Sequence, residues 1–195
     1  MGLVTVITSG KGGAGKSTVS VGLGCTLAKN GKRVLLIDGD AGLRSLDAML
    51  GVDKELVFDI SDIVNGNCEP IKAIYSCEEY TGLNNLFLLP APALEKHTIH
   101  PDLMKQWVPI LSRYYDHVII DCPAGIGKGF ISAVAAADRA LVISTPDPIC
   151  IRDSDKVRQL LEERGIRQQR LVINRFSFES FRKMQHYQDI DTIID

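Results

Sequence analysis

The chain has 195 residues, of which 45% are hydrophobic and 24% charged, and its formal net charge is −2. This length corresponds to one domain with its own hydrophobic core, and the composition excludes a disordered, collagen-like or coiled-coil protein. The longest apolar runs are only as long as strands, so we expect no transmembrane helix. Binding to nucleic acid needs clustered cations, which this charge balance does not support, so we expect no nucleic-acid partner.

Cysteine and histidine positions argue against disulfides and metal centres. No C-x-x-C pair occurs, the cysteine spacing is not that of an iron–sulfur site, and no signal peptide precedes the first apolar run. We therefore expect reduced thiols and a cytoplasmic protein. His97 and His100 stand near Asp102, but no further ligand follows, so we expect no zinc site. The five cysteines are Cys25, Cys68, Cys77, Cys122 and Cys150.

Short apolar runs alternate with helical stretches along the chain. Because the runs do not alternate apolar with polar residues, they predict strands of a parallel sheet that is buried on both faces. The predicted strands are 3–7, 34–37, 86–89, 118–120, 141–143 and 171–173, and the predicted helices are 16–29, 43–50, 59–65, 98–114, 128–137, 149–164 and 180–194. The alternation predicts an α/β fold, with a doubly wound, mostly parallel sheet and helices on both faces. We expect residues 1–195 to form a single domain.

A glycine-rich segment between the first predicted strand and the first predicted helix fits the phosphate-loop pattern G-x-x-x-x-G-K-[ST]. Glycines let the backbone turn tightly and point its N–H groups at phosphate oxygens, and the helix start adds a positive end. Lys16 is expected to reach the β and γ phosphates of ATP or ADP, and Ser17 to bind Mg²⁺. The candidate nucleotide-binding residues are Gly10, Lys11, Gly12, Gly13, Ala14, Gly15, Lys16, Ser17 and Thr18.

Acidic residues follow the second and fourth predicted strands. Asp38 and Asp40 end the second strand, and Asp121 ends the fourth. An acid after a strand near a phosphate loop is the Walker B arrangement, which holds Mg²⁺ or its waters. We therefore take Asp38 and Asp121, with Ser17, as candidate metal ligands, and Asp40 as the residue that positions a water. The alternative for each acid is the capping of a turn.

Two further candidates lie outside the usual set for a phosphate loop. Lys11 is a second cation across the glycine turn from Lys16, and it is either a solvated surface lysine or a charge supplied to a phosphate from outside. Asn174 and Arg175 follow the last predicted strand. An Asn amide can both donate to and accept from the edge of an adenine, although Asn after a strand also serves as a turn residue.

The segment Lys11-Gly12-Gly13-Ala14-Gly15-Lys16-Ser17 resembles the phosphate loop of the deviant Walker A ATPases, the family that contains ParA, MinD and the nitrogenase iron protein. The stretches 36–47, 119–126 and 145–155 are more similar to the MinD branch and to the related flagellar-number regulators than to ParA. The resemblance covers nearly the whole chain.

This resemblance implies a slow, Mg²⁺-dependent ATPase in which two ATP-bound subunits close face to face as a homodimer. Lys11 would cross to the phosphates of the partner, while Lys16 serves its own nucleotide. Asp40 would orient the attacking water, and Ser17 and Asp121 would hold Mg²⁺. Hydrolysis would then act as a timer that returns the dimer to monomers.

The resemblance also implies a biological role. Asn174 and Arg175 match the adenine-side strand end of the family, and the helix over 149–164 matches the surface that meets MinC- and MinE-type regulators. The expected role is the positioning of the septum machinery in cell division. The alternatives are a flagellar-number regulator with its own counterpart partner, a ParA-like DNA-partition ATPase, and a small-molecule enzyme on a related scaffold.

Chains of this family continue through another strand and a C-terminal amphipathic membrane helix, so we expect residues 1–195 to lack the C-terminal part of the family. The apolar stripe over 180–194 carries acids on its polar side rather than the Lys and Arg of a membrane-surface helix, which favours core packing. Peripheral attachment to the inner membrane face is therefore expected only for a parent chain that carries the missing helix.

Overall fold

The computed structural model describes residues 1–94 and 99–179. Within them, one sheet contains β1 (Leu3–Thr8), β2 (Val34–Asp38), β3 (Tyr75–Ser76), β4 (Leu86–Leu89), β5 (His117–Asp121), β6 (Arg139–Ser144) and β7 (Gln168–Ile173). Its strand order is β3-β4-β2-β5-β1-β6-β7, and every neighbouring pair is parallel except β3 with β4. The expected doubly wound, mostly parallel sheet is confirmed.

The helices cover both faces of this sheet. They are α1 (Lys16–Lys29), α2 (Ser45–Leu50), α3 (Ile60–Val64), α4 (Glu78–Thr81), α5 (Pro101–Leu111), α6 (Lys128–Val134) and α7 (Pro148–Glu163), with 3-10 turns at Pro70–Ala73 and Ser112–Tyr114. Successive residues of a strand point to opposite faces of the sheet, and each face packs against helices in its own hydrophobic core. Leu35 and Ile37 pack with α3, α5, α6 and α7, whereas Val34 and Leu36 pack with α1 and α2.

The six predicted strands are confirmed, and so are the predicted helices that fall on described residues. The helix predicted over 180–194 and the candidate His97 lie outside the described residues. Helix α5 begins at Pro101, where proline suits the first turn, and the His100 Nδ1 accepts a hydrogen bond from the backbone N–H of Asp102 at 3.3 Å. The sequence analysis missed β3 and α4, because each is too short to show a periodicity.

The expectation that all six strands are fully buried is wrong for β7. Among the strands of residues 1–94 and 99–179, β7 pairs with β6 alone and stands at the edge of the sheet, and its Leu171 is 42% exposed. Across the part of the chain that the structure describes, no helix has the length and apolarity that a membrane crossing requires.

The strand order brings several loops to one edge of the sheet. Strand β1 lies between β5 and β6, and β2 lies on the other side of β5. Because these strands are parallel, the segments after their carboxyl ends all emerge at the same edge, where ligands of such sheets bind. The candidate residues from four different parts of the sequence therefore become neighbours.

We expect Leu36→Ala to lower the free energy of unfolding by about 2–5 kcal/mol, because it opens a cavity between β2 and α1. Leu36 is fully buried, and a Cβ on Gly24 of α1 would lie 2.9 Å from its Cδ2, so the helix packs closely on it. Urea denaturation measures the loss. The half-exposed Leu171→Ala is the matched control, and an equal loss in both variants would contradict this assignment of the core.

Candidate functional site

The phosphate loop connects β1 to α1 and takes its shape from glycines. Gly13 and Gly15 have φ angles of +78° and +98°, a left-handed region that disfavours other residues. Lys16, the first residue of α1, is only 8% exposed, and its Nζ donates a hydrogen bond to the Ser9 hydroxyl at 3.2 Å. A cation buried to this degree favours an anionic ligand beside it.

Asp121 lies at the end of β5 and contacts the start of α1. The Ser17 hydroxyl donates to its Oδ2 at 2.6 Å, and the Ser20 hydroxyl donates to its Oδ1 at 2.7 Å. Asp121 is 2% exposed, and burial raises its pKa, while the two hydroxyls and Lys16 lower it. The side chain is therefore fixed in orientation next to the hydroxyl of the phosphate loop.

The oxygen atoms of Ser17 and Asp121 are suitable ligands for a magnesium ion that also binds the phosphates of a nucleotide. Among residues 1–94 and 99–179, no group of three or more His, Cys, Asp or Glu side chains could hold a metal ion. Mg²⁺ in nucleotide sites usually takes one or two protein ligands and completes its shell with phosphate oxygens and water. The Ser17 hydroxyl with the adjacent Asp121 carboxylate matches that donor set.

Asp38 is buried at the end of β2 and organises the segment that follows. Its Oδ1 accepts from the backbone N–H of Asp40 at 2.9 Å, and its Oδ2 accepts from that of Leu46 at 3.1 Å. Burial raises the pKa of Asp38 to about 6, and the two N–H groups oppose this rise. Both carboxylate oxygens of Asp38 therefore accept backbone hydrogen bonds, and the role of Asp38 as a metal ligand stays a prediction.

Asp40 is half-buried and lies close to the other two acids. The negative charge of Asp40 raises the pKa of both Asp38 and Asp121. The structure thus brings together three acids that the sequence places after two different strands, because β2 and β5 are neighbours with Asp38 paired to Asp121 in register.

Lys11 differs from Lys16 in its surroundings, since it is exposed. At the start of α7, the Cys150 backbone N–H is the largest cause of the lowered pKa of Asp147, and the charge of Lys11 also contributes to it. The loop packs against α7 at Gly10, where a Cβ would lie 2.5 Å from the backbone oxygen of Asp153. The two cations of the loop therefore face different environments.

Asn174 supports the phosphate loop from β7, a contact that the sequence analysis missed. Its Nδ2 donates to the backbone oxygen of Ala14 at 2.9 Å, and its Oδ1 accepts from the backbone N–H of Arg175 at 2.9 Å. A Cβ on Gly15 would lie 2.3 Å from this Nδ2, so glycine is required there. Arg175 is exposed with a φ of +54°. Recognition of adenine by this pair stays a prediction.

Two other groups of residues complete the site and were not predicted. Ser20 stands one turn after Ser17 on α1, and this i, i+3 spacing is a signal that could have found it. Arg44 and Asp59 form an ion pair beside the segment that carries Asp40. No local spacing predicts that pair, because their contact depends on the tertiary fold.

A glycine-rich loop at the carboxyl end of a central strand, a lysine at the start of the next helix and an acid on the adjacent strand together cradle the phosphates of a nucleotide. This geometry defines a P-loop nucleoside triphosphatase.

Comparison with known proteins assigns the family. The family model described as NUBPL iron-transfer P-loop NTPase (ParA) matches residues 2–190. The septum site-determining protein MinD of Bacillus subtilis is 43% identical over 196 residues, which cover all of this chain and 72% of that protein. MinD of Thermotoga maritima is 46% identical over 179 residues, covering 90% of this chain and 65% of that protein. The chain thus spans about two thirds to three quarters of the length of these relatives.

Solved structures agree with this assignment. MinD in the MinC:MinD complex of Aquifex aeolicus superimposes with a TM-score of 0.87 at 38% identity, over 99% of this chain and 76% of that one. MinD of Pyrococcus horikoshii, complexed with Mg-ADP, gives 0.84 at 29% identity, over 99% and 76%. The chain belongs to the ParA/MinD family of P-loop ATPases. Its relatives at 43% and 46% identity are MinD proteins, and it has no C-x-x-C pair for an iron–sulfur cluster.

The raised pKa of Asp38 makes the stability of the nucleotide-free chain depend on pH. Its folded pKa of about 6 exceeds the ordinary value of 3.8, so its contribution is fully present below about pH 4 and is lost as the pH rises through 6. Relative to Asp38→Asn, the wild-type chain should lose up to about 3 kcal/mol of unfolding free energy from about pH 4 to 7. Urea denaturation at each pH measures both chains. A constant difference between them, which a lost hydrogen bond alone would produce, would contradict the prediction.

Proposed function

We propose that this chain is an ATP-dependent switch for septum-site placement, in which two ATP-loaded chains form a homodimer and slow hydrolysis separates them. The observation that carries the proposal is the contrast between the two lysines of the loop. Lys16 is buried beside Ser9, whereas Lys11 is exposed. A buried cation can serve the nucleotide of its own chain, and an exposed one can serve the nucleotide of a second chain.

Binding is assigned to the phosphate loop and its supports. The backbone N–H groups of residues 10–18 and the Lys16 ammonium would hold the β and γ phosphates of ATP or ADP. When bound, Mg²⁺ neutralises charge on those phosphates. The Ser17 hydroxyl and Asp121 would hold that ion, with Asp38 as a third candidate. Asn174 and Arg175, at the end of β7, are assigned to the adenine side.

Hydrolysis is assigned to a different part of the site. Asp40 lies after β2, near Asp121 but outside the glycine-rich loop, so it can orient a water without contributing to the phosphate cradle. Lys11 would add positive charge from the opposite subunit as the two polyphosphates approach. Because their repulsion is strong in a poorly hydrated interface, dimerisation and hydrolysis should both require Lys11.

The biological role and the partners follow the relatives. The Bacillus subtilis and Thermotoga maritima proteins are septum site-determining, and the Aquifex aeolicus protein forms a complex with MinC. We propose MinC- and MinE-type regulators as partners of this chain in the cytoplasm. The surface proposed for them is on α7, with the exposed Arg152 and Asp155 and the half-buried Asp153. A flagellar counterpart is the alternative partner.

Lys11→Ala should leave nucleotide binding by the monomer largely intact but abolish ATP-dependent dimerisation and hydrolysis. A cation of this type is worth roughly 10³–10⁵ in rate, so the hydrolysis defect should be large. Lys16→Ala should instead abolish nucleotide binding, because it removes the buried cation of the loop. Calorimetry gives nucleotide affinity, and light scattering with ATP gives the mass in solution.

The exposed Lys29→Ala at the end of α1 is the matched control for loss of one positive charge. If wild type and Lys11→Ala dimerise equally well with ATP, Lys11 is a surface lysine and the cross-subunit role is wrong. Wild-type ATP affinity in Lys16→Ala would refute the assignment of the phosphate loop.

Asp40→Ala should bind ATP and dimerise like the wild type but hydrolyse ATP at least about 10²-fold more slowly, since it loses the group that orients the water. Phosphate release under saturating ATP measures the rate. Asp53→Ala removes an exposed carboxylate as the control. Turnover at the wild-type rate in Asp40→Ala would show that Asp40 only stabilises its turn.

A further inference from the structure

The segment between β2 and α2, residues 39–44, is here called the Asp40 loop. Its start is tied to β5, because the Gly39 N–H donates to the backbone oxygen of Asp121 at 2.9 Å. Its middle is tied to the segment after β4, because the Gly42 N–H donates to the backbone oxygen of Pro92 at 3.0 Å. The end of the loop is held by a side chain, that of Arg44.

Arg44 makes two directional contacts outside the loop. Its Nε donates to the backbone oxygen of Ala91 at 2.8 Å, and its Nη2 donates to Asp59 Oδ2 at 2.8 Å. The side chains of Arg44 and Asp59 are 24% and 11% exposed, so water screens this pair only weakly. Charge-assisted bonds from a planar guanidinium restrict both distance and direction.

Asp59 is held in place independently of Arg44. It caps the start of α3, where its Oδ1 accepts from the Ser61 N–H at 2.8 Å, while Asp62 accepts from the Asp59 N–H at 3.0 Å in a reciprocal capping box. Its Oδ2 also accepts from the Ala93 N–H at 3.3 Å. Arg44 therefore binds to an anchor whose orientation is already determined by α3 and by the segment after β4.

The backbone of Arg44 is linked directly to Asp40. Arg44 has a left-handed backbone with a φ of +43°, an unfavourable conformation for a residue with a side chain. In this conformation its N–H, like that of Leu43, donates to the backbone oxygen of Asp40 at 3.3 Å. Such a conformation persists where surrounding contacts hold it, and the bonds to Ala91 and Asp59 are those contacts.

We infer that Arg44 is a positioning residue for hydrolysis, which acts by anchoring the Asp40 loop to Asp59 and Ala91. This inference rests on the proposed role of Asp40 in orienting the water. The side-chain hydrogen bonds of Arg44 run to Ala91 and Asp59 and not to the phosphate loop, to which nucleotide binding is assigned. The reactive geometry at Asp40 would instead depend on this tether. A displacement of about 1 Å in a reacting group can cost roughly 10²-fold in rate.

The test compares Arg44→Ala, Arg44→Lys and Asp59→Asn with the wild-type protein. Arg44→Ala should lower kcat by about 10- to 100-fold while ATP affinity and dimerisation stay within about threefold of wild type. Arg44→Lys keeps the charge but loses the planar fork, so it should recover only part of the rate. It also keeps the proposal testable if Arg44→Ala fails to fold, as thermal unfolding would reveal.

A double variant tests whether Arg44 and Asp59 act through the same tether, and a distant arginine serves as the control. Arg44→Ala combined with Asp59→Asn should lower kcat by less than the product of the single effects, because both changes remove the same tether. Arg113→Ala removes an exposed arginine near the amino ends of the strands, far from the site, and should leave kcat unchanged. Amide hydrogen exchange in the nucleotide-free protein should accelerate over residues 39–46 in Arg44→Ala and not in the control.

A wild-type rate in Arg44→Ala would overturn the inference, and so would a loss of ATP affinity in step with kcat, since that indicates a general structural role. Unchanged hydrogen exchange over 39–46 would also overturn it. Failure of the proposed function looks different: the wild-type protein would not hydrolyse ATP at all. In that case Arg44 has no role in hydrolysis, and hydrogen exchange still decides whether it tethers the loop.

Discussion

The buried carboxylate of Asp121 is the interaction on which the rest of the site depends. It accepts hydrogen bonds from Ser17 and Ser20 and so fastens the first turns of α1 to β5. Because α1 begins at the end of the phosphate loop, this attachment also determines where Lys16 lies. Removing this buried carboxylate would leave the Ser17 hydroxyl without its acceptor, whereas the Ser20 hydroxyl also donates to the Lys16 backbone oxygen at 3.0 Å.

A concentration of negative charge follows from that arrangement. Asp38, Asp40 and Asp121 meet where β2 and β5 end, and burial raises the pKa of Asp38 and of Asp121. Lys16 offsets part of this charge. A bound divalent cation would offset more, so ligand binding and stability of the folded chain should rise together. This excess of negative charge fits the Mg²⁺ and nucleotide site proposed at Ser17 and Asp121.

The supports of the site fall into two groups with different tasks. Asp121 and Asn174 hold the phosphate loop from β5 and from the end of β7, and nucleotide binding is proposed at that loop. Asp59 and Ala91 hold the Asp40 loop through Arg44, and the hydrolytic step is proposed at that loop. Since the two groups use separate elements, we expect binding and hydrolysis to be altered independently by substitution, as the proposed nucleotide timer requires.

The sequence by itself determined the buried strands, the helices between them, the phosphate loop and the acids after the strands, because each of these is a local pattern of apolar runs or fixed spacings. Only the tertiary structure decided the exposed edge position of β7, the short strand β3, the bond from Asn174 to Ala14 and the pair of Arg44 with Asp59. Those contacts join residues of different structural elements. They depend on the order of strands in the sheet, and no local spacing encodes that order.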